Sequence, residues 1–160
     1  MNLAITVLTI AVACPGAAQP TDGTRHFRLG MPPRVESEQT HLLLRDVVVP
    51  RNQPVLLRAY AIAPDGSKIY LGSTAVPAVS RDSAGVTSIN VLRINVTTGL
   101  RAWRSVTKGA RSVDVEIDAF SGGGVPVQNS LWDVRVLELV HPDSSRGASF
   151  HVPQASIRTD

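Results

Sequence analysis

The stretch VLLRAYAIAPDGSKIYLGSTAVP, residues 55–77, decides the fold of this chain. It consists of two apolar runs joined by Pro64, Asp65, Gly66 and Ser67. Proline holds φ near the value that a turn needs at its first central position, and Asp-Gly tolerates left-handed backbone, so the chain reverses here. Apolar residues at alternate positions of the first run predict a strand buried on one face. A two-stranded hairpin is marginal in water, so we expect further strands to pack around it.

The rest of the chain supplies those strands. Period-two patterns rich in β-branched residues are followed by Gly, Pro and polar turn residues, a combination typical of antiparallel sandwiches and jelly rolls. We predict an all-β antiparallel sandwich over residues 40–140, with one short helical turn. Its further strands are predicted at residues 40–49, 89–96, 112–120 and 131–140, the helical turn within 98–108, and a loop at 75–87.

The N-terminal segment has the pattern of an export signal. Residues 3–13 are an apolar run too short to span a bilayer, and small residues at 16–18 offer a cleavage point, which predicts a signal peptide over residues 1–18 and a secreted or periplasmic protein. A second interpretation is a lipoprotein signal ending at residue 13, with Cys14 acylated and the protein anchored at the cell envelope. Residues 19–39, rich in Gly and Pro, are predicted to be a linker, and residues 141–160 a polar tail that can add an edge strand.

Length and composition restrict the function further. A chain of 160 residues is most simply one domain. Its net charge of +3 comes from basic residues scattered from Arg25 to Arg158, which argues against a nucleic-acid partner. Since Cys14 is the only cysteine, no intrachain disulfide forms, and stability must come from the core.

No residues form a recognisable catalytic or metal-binding motif. The four histidines His26, His41, His141 and His151 lack the spacing that places two imidazoles on one helix face. No nucleophile elbow and no Cys/His pair occur. We therefore predict no catalytic residue, metal or cofactor, and a protein that is not an enzyme.

Three carboxylates recur on one predicted strand face, namely Asp114, Glu116 and Asp118. They suit a hard cation or an acid/base pair, but alternate strand residues lie roughly 7 Å apart, too far to share one ion without another segment. The simpler interpretation is a charged solvent face opposite Arg58 or Arg93 on a neighbouring strand. An enzyme of unrecognised type would need a cleft joining Asp114 or Glu116 to a histidine.

Two further motifs have ordinary structural interpretations. The run from Ser121 to Gly124 precedes Val-Pro-Val rather than a helix, so it predicts a hairpin loop and not a phosphate site. Arg101, Trp103 and Arg104 suit the binding of a sugar or a protein partner, but Trp103 as a core residue under the short helix is the simpler prediction.

The order of the segments resembles a known family. The segments are THLLLRDVVVPRNQPVLLRAYAIAP, IYLGSTAVP, SINVLRINVTTGLRAW, SVDVEIDAF and WDVRVLEL. Together they resemble the C-terminal β-sandwich domain of plant-type polyphenol oxidases and tyrosinases. The segment from Tyr70 through Gly72 and Ser73 to Pro77 is similar to the family's F-A-G-S-F-x-x-V-P element, and residues 89–103 to its strand and short helix.

The resemblance implies a non-catalytic module that packs on a type-3 copper domain and shields its entrance. The family's histidine-bearing copper domain is absent from these residues, so no oxidase activity is implied. A protein partner, specifically a type-3 copper oxidase, is therefore expected, with Tyr70, Leu71 and Trp103 as candidate partner-binding residues. The alternative is a secreted carbohydrate- or surface-binding module, which exposure of Trp103 or Trp132 would favour and burial of both would weaken.

Overall fold

The computed structural model describes residues 24–31, 39–80, 82 and 84–140. These residues form seven β-strands, one α-helix and one 3-10 turn. In chain order the elements are β1 (Thr24–Gly30), β2 (His41–Pro50), β3 (Val55–Ile62), β4 (Lys68–Val76), β5 (Val86–Asn95), α1 (Thr97–Val106), β6 (Ser112–Ser121), the 3-10 turn (Asn129–Leu131) and β7 (Asp133–Val140).

The strands form two antiparallel sheets that enclose one core. The first sheet has the strand order β1-β6-β3-β4 and the second the order β5-β2-β7. Apolar side chains from both sheets point between them, where water is excluded. The largest fully buried side chains include Leu29 and Leu57 of the first sheet, Leu44 and Ile94 of the second, and Trp132 just before β7. The predicted all-β antiparallel sandwich is confirmed.

The hairpin of β3 and β4 forms where the turn residues predict it. Ala63 N–H donates to Ser67 O at 2.9 Å, and Gly66 has a φ of 83°, in the region that favours glycine. Asp65 Oδ1 accepts from both Ser67 N–H and Ser67 Oγ. Both hydrogen bonds lower the pKa of Asp65, and the bond from the Ser67 hydroxyl has the larger effect. A register shift after Ala59 leaves an extra residue in β4.

Both strands with a clear period of two bury the predicted face. In β3 the buried positions are Val55, Leu57, Ala59 and Ala61. In β6 they include Val113, Val115, Ile117 and Ala119. The two strands pair directly, so these side chains form a continuous apolar layer in the middle of the four-stranded sheet.

Helix α1 lies directly against the backbone of β4. A Cβ atom built on Gly99 would lie 2.5 Å from Leu71 Cα and 2.6 Å from Tyr70 O. A Cβ atom on Gly72 would overlap the backbone oxygen of Asn95 at the end of β5. Only glycine fits at either position, because the obstructing atoms are main chain. The two close approaches bring α1 and β5 against the edge strand of the first sheet.

The structure corrects the predicted linker. Residues 24–30 form strand β1, which pairs with β6, and the buried side chains of Phe27 and Leu29 join the core. Only these two apolar residues alternate in this segment, which is too short a pattern to predict a strand. The strand is held instead by antiparallel pairing with β6 along its whole length. Arg28 adds two hydrogen bonds to Asp114, 86 positions away.

Other elements differ from the predictions in length. Strand β4 extends to Lys68–Val76, β5 begins at Val86 rather than at residue 89, and the helical turn is a ten-residue helix. The predicted signal peptide, the acylation site Cys14 and the tail over residues 141–160 lie outside the described residues.

Candidate functional site

Of the three candidate partner-binding residues, Tyr70 alone lies at the surface. Its side chain is 52% exposed, whereas Leu71 is 4% exposed. The Tyr70 ring meets Tyr60 edge to face with centroids 5.7 Å apart, and its hydroxyl donates to Ser73 Oγ at 2.9 Å. A partner that approached this face of the first sheet would therefore meet a fixed tyrosine ring.

Trp103, the third candidate, is a core residue. Only 2% of it is exposed, and its indole Nε1 donates to Ile62 O at 3.1 Å, which ties α1 to the end of β3. Trp132 is also buried, and the Arg25 guanidinium lies 4.8 Å from the centroid of its ring. The carbohydrate-binding interpretation predicted an exposed Trp103 or Trp132, so burial of both weakens it.

The three carboxylates of β6 form part of a cross-strand charge network on the outer face of the first sheet. Asp114 accepts two hydrogen bonds from Arg28, at 2.7 and 2.9 Å. Asp118 accepts from Thr24 Oγ1 at 2.8 Å and pairs in register with Arg58 on β3. The hydrogen bond to Asp114 raises the pKa of Arg28.

Glu116 is the most enclosed of the three carboxylates. It forms an ion pair with the Lys68 ammonium, and His26 Nδ1 lies 3.4 Å from its Oε1. The hydrogen bond to Glu116 raises the pKa of Lys68, although partial burial of the ammonium acts in the opposite direction. The charged face predicted opposite Arg58 is thus present, whereas Arg93 lies on β5 in the other sheet.

Metal binding and membrane crossing find no support in the described part of the chain. Within residues 24–31, 39–80, 82 and 84–140, no cluster of three or more His, Cys, Asp or Glu side chains is placed to hold a metal ion. His26 lies in β1 and His41 in β2, in different sheets. No helix among these same residues has the length and apolar character to cross a membrane.

A cleft of about 850 Å³ opens between the β3–β4 turn and the connection from α1 to β6. Its lining includes Ile62, Pro64, Val106, Lys108 and Arg28. The sequence carries no signal for this cleft, because its walls come from segments more than thirty residues apart. Of the cationic-aromatic cluster predicted nearby, Arg101 is exposed, whereas Arg104 is half-buried and this burial lowers its pKa.

Comparison with known proteins finds similarity at the level of structure. No protein-family model and no curated protein sequence matches the chain. The solved structure of latent aurone synthase, a polyphenol oxidase, is similar with a TM-score of 0.51 and 16% sequence identity. The similarity covers 74% of this chain but 24% of that one. At this identity the comparison establishes the fold, and the chain has the fold of one part of a polyphenol oxidase, as its sequence resemblance predicted.

Proposed function

We propose that this chain is an exported, non-catalytic accessory module that binds a type-3 copper oxidase and shields its active-site entrance. The observation that carries the proposal is the unequal coverage of the structural match. Most of this chain corresponds to about a quarter of the polyphenol oxidase, so the larger part of that enzyme has no counterpart in the match. A module of this kind acts through its surface rather than through chemistry of its own.

The arrangement of polar side chains supports a binding role. In the described residues the carboxylates of β6 are engaged by Arg28, Lys68, His26 and Thr24. An acid/base pair needs two carboxylates with contrasting environments that face one cleft. Of these three carboxylates only Asp114 lines the cleft, where Arg28 is its partner, and no histidine of the described residues lines it. The export of the module rests on the apolar run at residues 3–13, and a lipid anchor at Cys14 would instead hold it at the envelope.

A retention experiment tests the proposal. The full chain, produced with a C-terminal affinity tag, is immobilised and exposed to extracellular or periplasmic extract of its own source, and retained proteins are identified by mass spectrometry. We expect enrichment of a protein with type-3 copper oxidase activity. Addition of the chain to that oxidase should then lower its rate of diphenol oxidation, because the module covers the entrance to the copper site.

The control is an unrelated β-sandwich of similar size and isoelectric point, immobilised in the same way. Equal recovery of oxidase on both columns would mean that retention reflects charge alone, and it would overturn the proposal. Retention of the chain on polysaccharide or cell-wall material, with no oxidase recovered, would favour the surface-binding alternative.

A further inference from the structure

The excess of positive charge is concentrated in one segment. Residues 97–113 contain Arg101, Arg104, Lys108 and Arg111 and no acidic residue. The whole chain has 16 basic and 13 acidic residues, so with these four set aside the acidic residues outnumber the basic ones by one. Although basic residues occur along the whole chain, their excess therefore resides on α1 and the turn that follows it.

The cations of this segment are available at the surface. Arg101, Lys108 and Arg111 are all exposed, and we call these three residues the cationic face. Arg104, between them, is half-buried and has other contacts. On the outer face of the first sheet, by contrast, cations such as Arg28 and Lys68 already have carboxylate partners. Among the described residues no carboxylate pairs with the three cations of the cationic face, so an anionic partner can bind there without displacing an existing ion pair.

An apolar wall adjoins the cationic face. Val106 is 59% exposed and lines the cleft together with Ile62 and Pro64, and Lys108 stands at the same cleft. Across it, Arg28 is held by Asp114, so its charge is balanced locally. A volume of about 850 Å³ is large enough for an apolar side chain of a partner. The surface therefore combines unbalanced positive charge with a recess bounded by apolar residues.

We propose that the cationic face and the adjoining cleft bind an acidic segment of a partner protein. Carboxylates of that segment pair with Arg101, Lys108 and Arg111, and an apolar side chain of the same segment enters the cleft against Val106. The inference deepens the proposed function, on which it rests, by naming the surface that meets the partner.

The same features disfavour a nucleic acid or a sulfated polysaccharide. Such polyanions are bound by longer tracks of cations, and single strands also stack on exposed aromatic rings. The aromatic residue nearest the cleft, Trp103, is buried. The apolar lining at Ile62, Pro64 and Val106 suits an apolar side chain, which a polysaccharide does not offer.

The test uses a fluorescein-labelled peptide of repeating Glu-Glu-Leu units, with binding to the full chain followed by fluorescence anisotropy. Wild-type protein should bind the peptide in low salt and more weakly at about 150 mM salt, where the screening length falls to about 8 Å. The double variant Arg101→Glu/Lys108→Glu should bind at least about ten-fold more weakly, because two attractive contacts become repulsive. The matched control Arg93→Glu/Arg135→Glu makes the same charge change on the second sheet, at two exposed positions, and should remain within about two-fold of wild type.

Three results would overturn the inference. The first is no binding of the peptide by wild-type protein at about 1 mM in low salt, since a specific protein–peptide contact binds more tightly than this. The second is equal weakening in both double variants, which would show dependence on net charge alone. The third is binding of a heparin fragment with no binding of the peptide, which would assign the surface to polysaccharide.

The retention experiment separates this inference from the proposed function. If the variant Arg101→Glu/Lys108→Glu retains the oxidase as well as wild type does, the surface assignment is wrong while the accessory function stands. If the peptide binds as expected but no oxidase is retained by wild-type protein, the accessory function fails and the acidic-segment site stands.

Discussion

The substitution Gly99→Ala tests how closely α1 packs on β4. The added Cβ would lie 2.5 Å from Leu71 Cα and 2.6 Å from Tyr70 O. Ordinary carbon contacts are about 3.5–4.0 Å, so the helix must move away by about 1 Å. Overpacking of this kind lowers the free energy of unfolding by about 1–3 kcal/mol. We expect a value at the upper end of this range because both obstructing atoms belong to the main chain.

Helix propensity alone predicts the opposite sign for this substitution. Alanine is favoured over glycine within a helix by up to about 1 kcal/mol. Subtracting this gain from an overpacking cost of about 3 kcal/mol leaves a net destabilisation of about 2 kcal/mol. The direction of the change therefore distinguishes tight packing of α1 on β4 from a helix that stands clear of the sheet.

Urea unfolding followed by tryptophan fluorescence measures the effect, because Trp103 and Trp132 are both buried in the native state. With a denaturant slope of about 2 kcal/mol per molar, the loss lowers the unfolding midpoint by about 1 M. The control is Gly30→Ala in β1, where a Cβ meets nothing within 4 Å. That variant should be unchanged or up to about 1 kcal/mol more stable. A midpoint for Gly99→Ala at or above the wild-type value would refute the close packing of α1 on β4.

Three other substitutions test contacts within the described residues. Trp103→Phe removes the hydrogen bond to Ile62 O and leaves part of the indole volume empty, so unfolding followed by circular dichroism should show a loss of about 2 kcal/mol; no loss would contradict a core role. Arg25→Lys cannot reproduce the planar set of hydrogen bonds to the segment before β7 and should lower the free energy of unfolding by about 1–2 kcal/mol in the same assay. Full retention of stability would show that those bonds are dispensable. Lys68→Met should cost about 1 kcal/mol near neutral pH, after allowance for screening of the half-exposed ammonium. Because the hydrogen bond to Glu116 raises the pKa of Lys68 above 10.5, its stabilisation is complete below pH 10.5 and is lost as the pH rises through the folded-state pKa. The melting temperature should therefore fall more steeply between about pH 8 and about pH 11 in wild type than in this variant. Parallel curves of melting temperature against pH would contradict the pairing.

Much of the fold follows from local sequence patterns. The hairpin turn at Asp65 and Gly66 and the buried alternation of β6 depend on residues a few positions apart, and both are confirmed. The interpretation as a charged solvent face is confirmed for Asp114 and Asp118, which have partners on a neighbouring strand. Glu116 has a partner on the same sheet but is buried, which the strand pattern did not predict.

The candidate binding residues are less predictable from sequence. Tyr70, Leu71 and Trp103 are candidates through their position in a family resemblance, and the structure places only Tyr70 at the surface. Their role in binding a partner stays a prediction. Burial depends on which elements pack against a residue, and Trp103 contacts the end of β3, 41 positions earlier in the chain.

The sequence by itself determined the fold class and the core faces of the main strands, because periodicity and turn chemistry act between near neighbours. The tertiary structure decided the partition of strands into two sheets, the recruitment of residues 24–30 as β1 and the cleft beside Val106. These features depend on contacts such as Arg28 with Asp114, between residues 86 positions apart. Such contacts produce no local pattern in the sequence, because the two partners are far apart in the chain and become neighbours only in the folded protein.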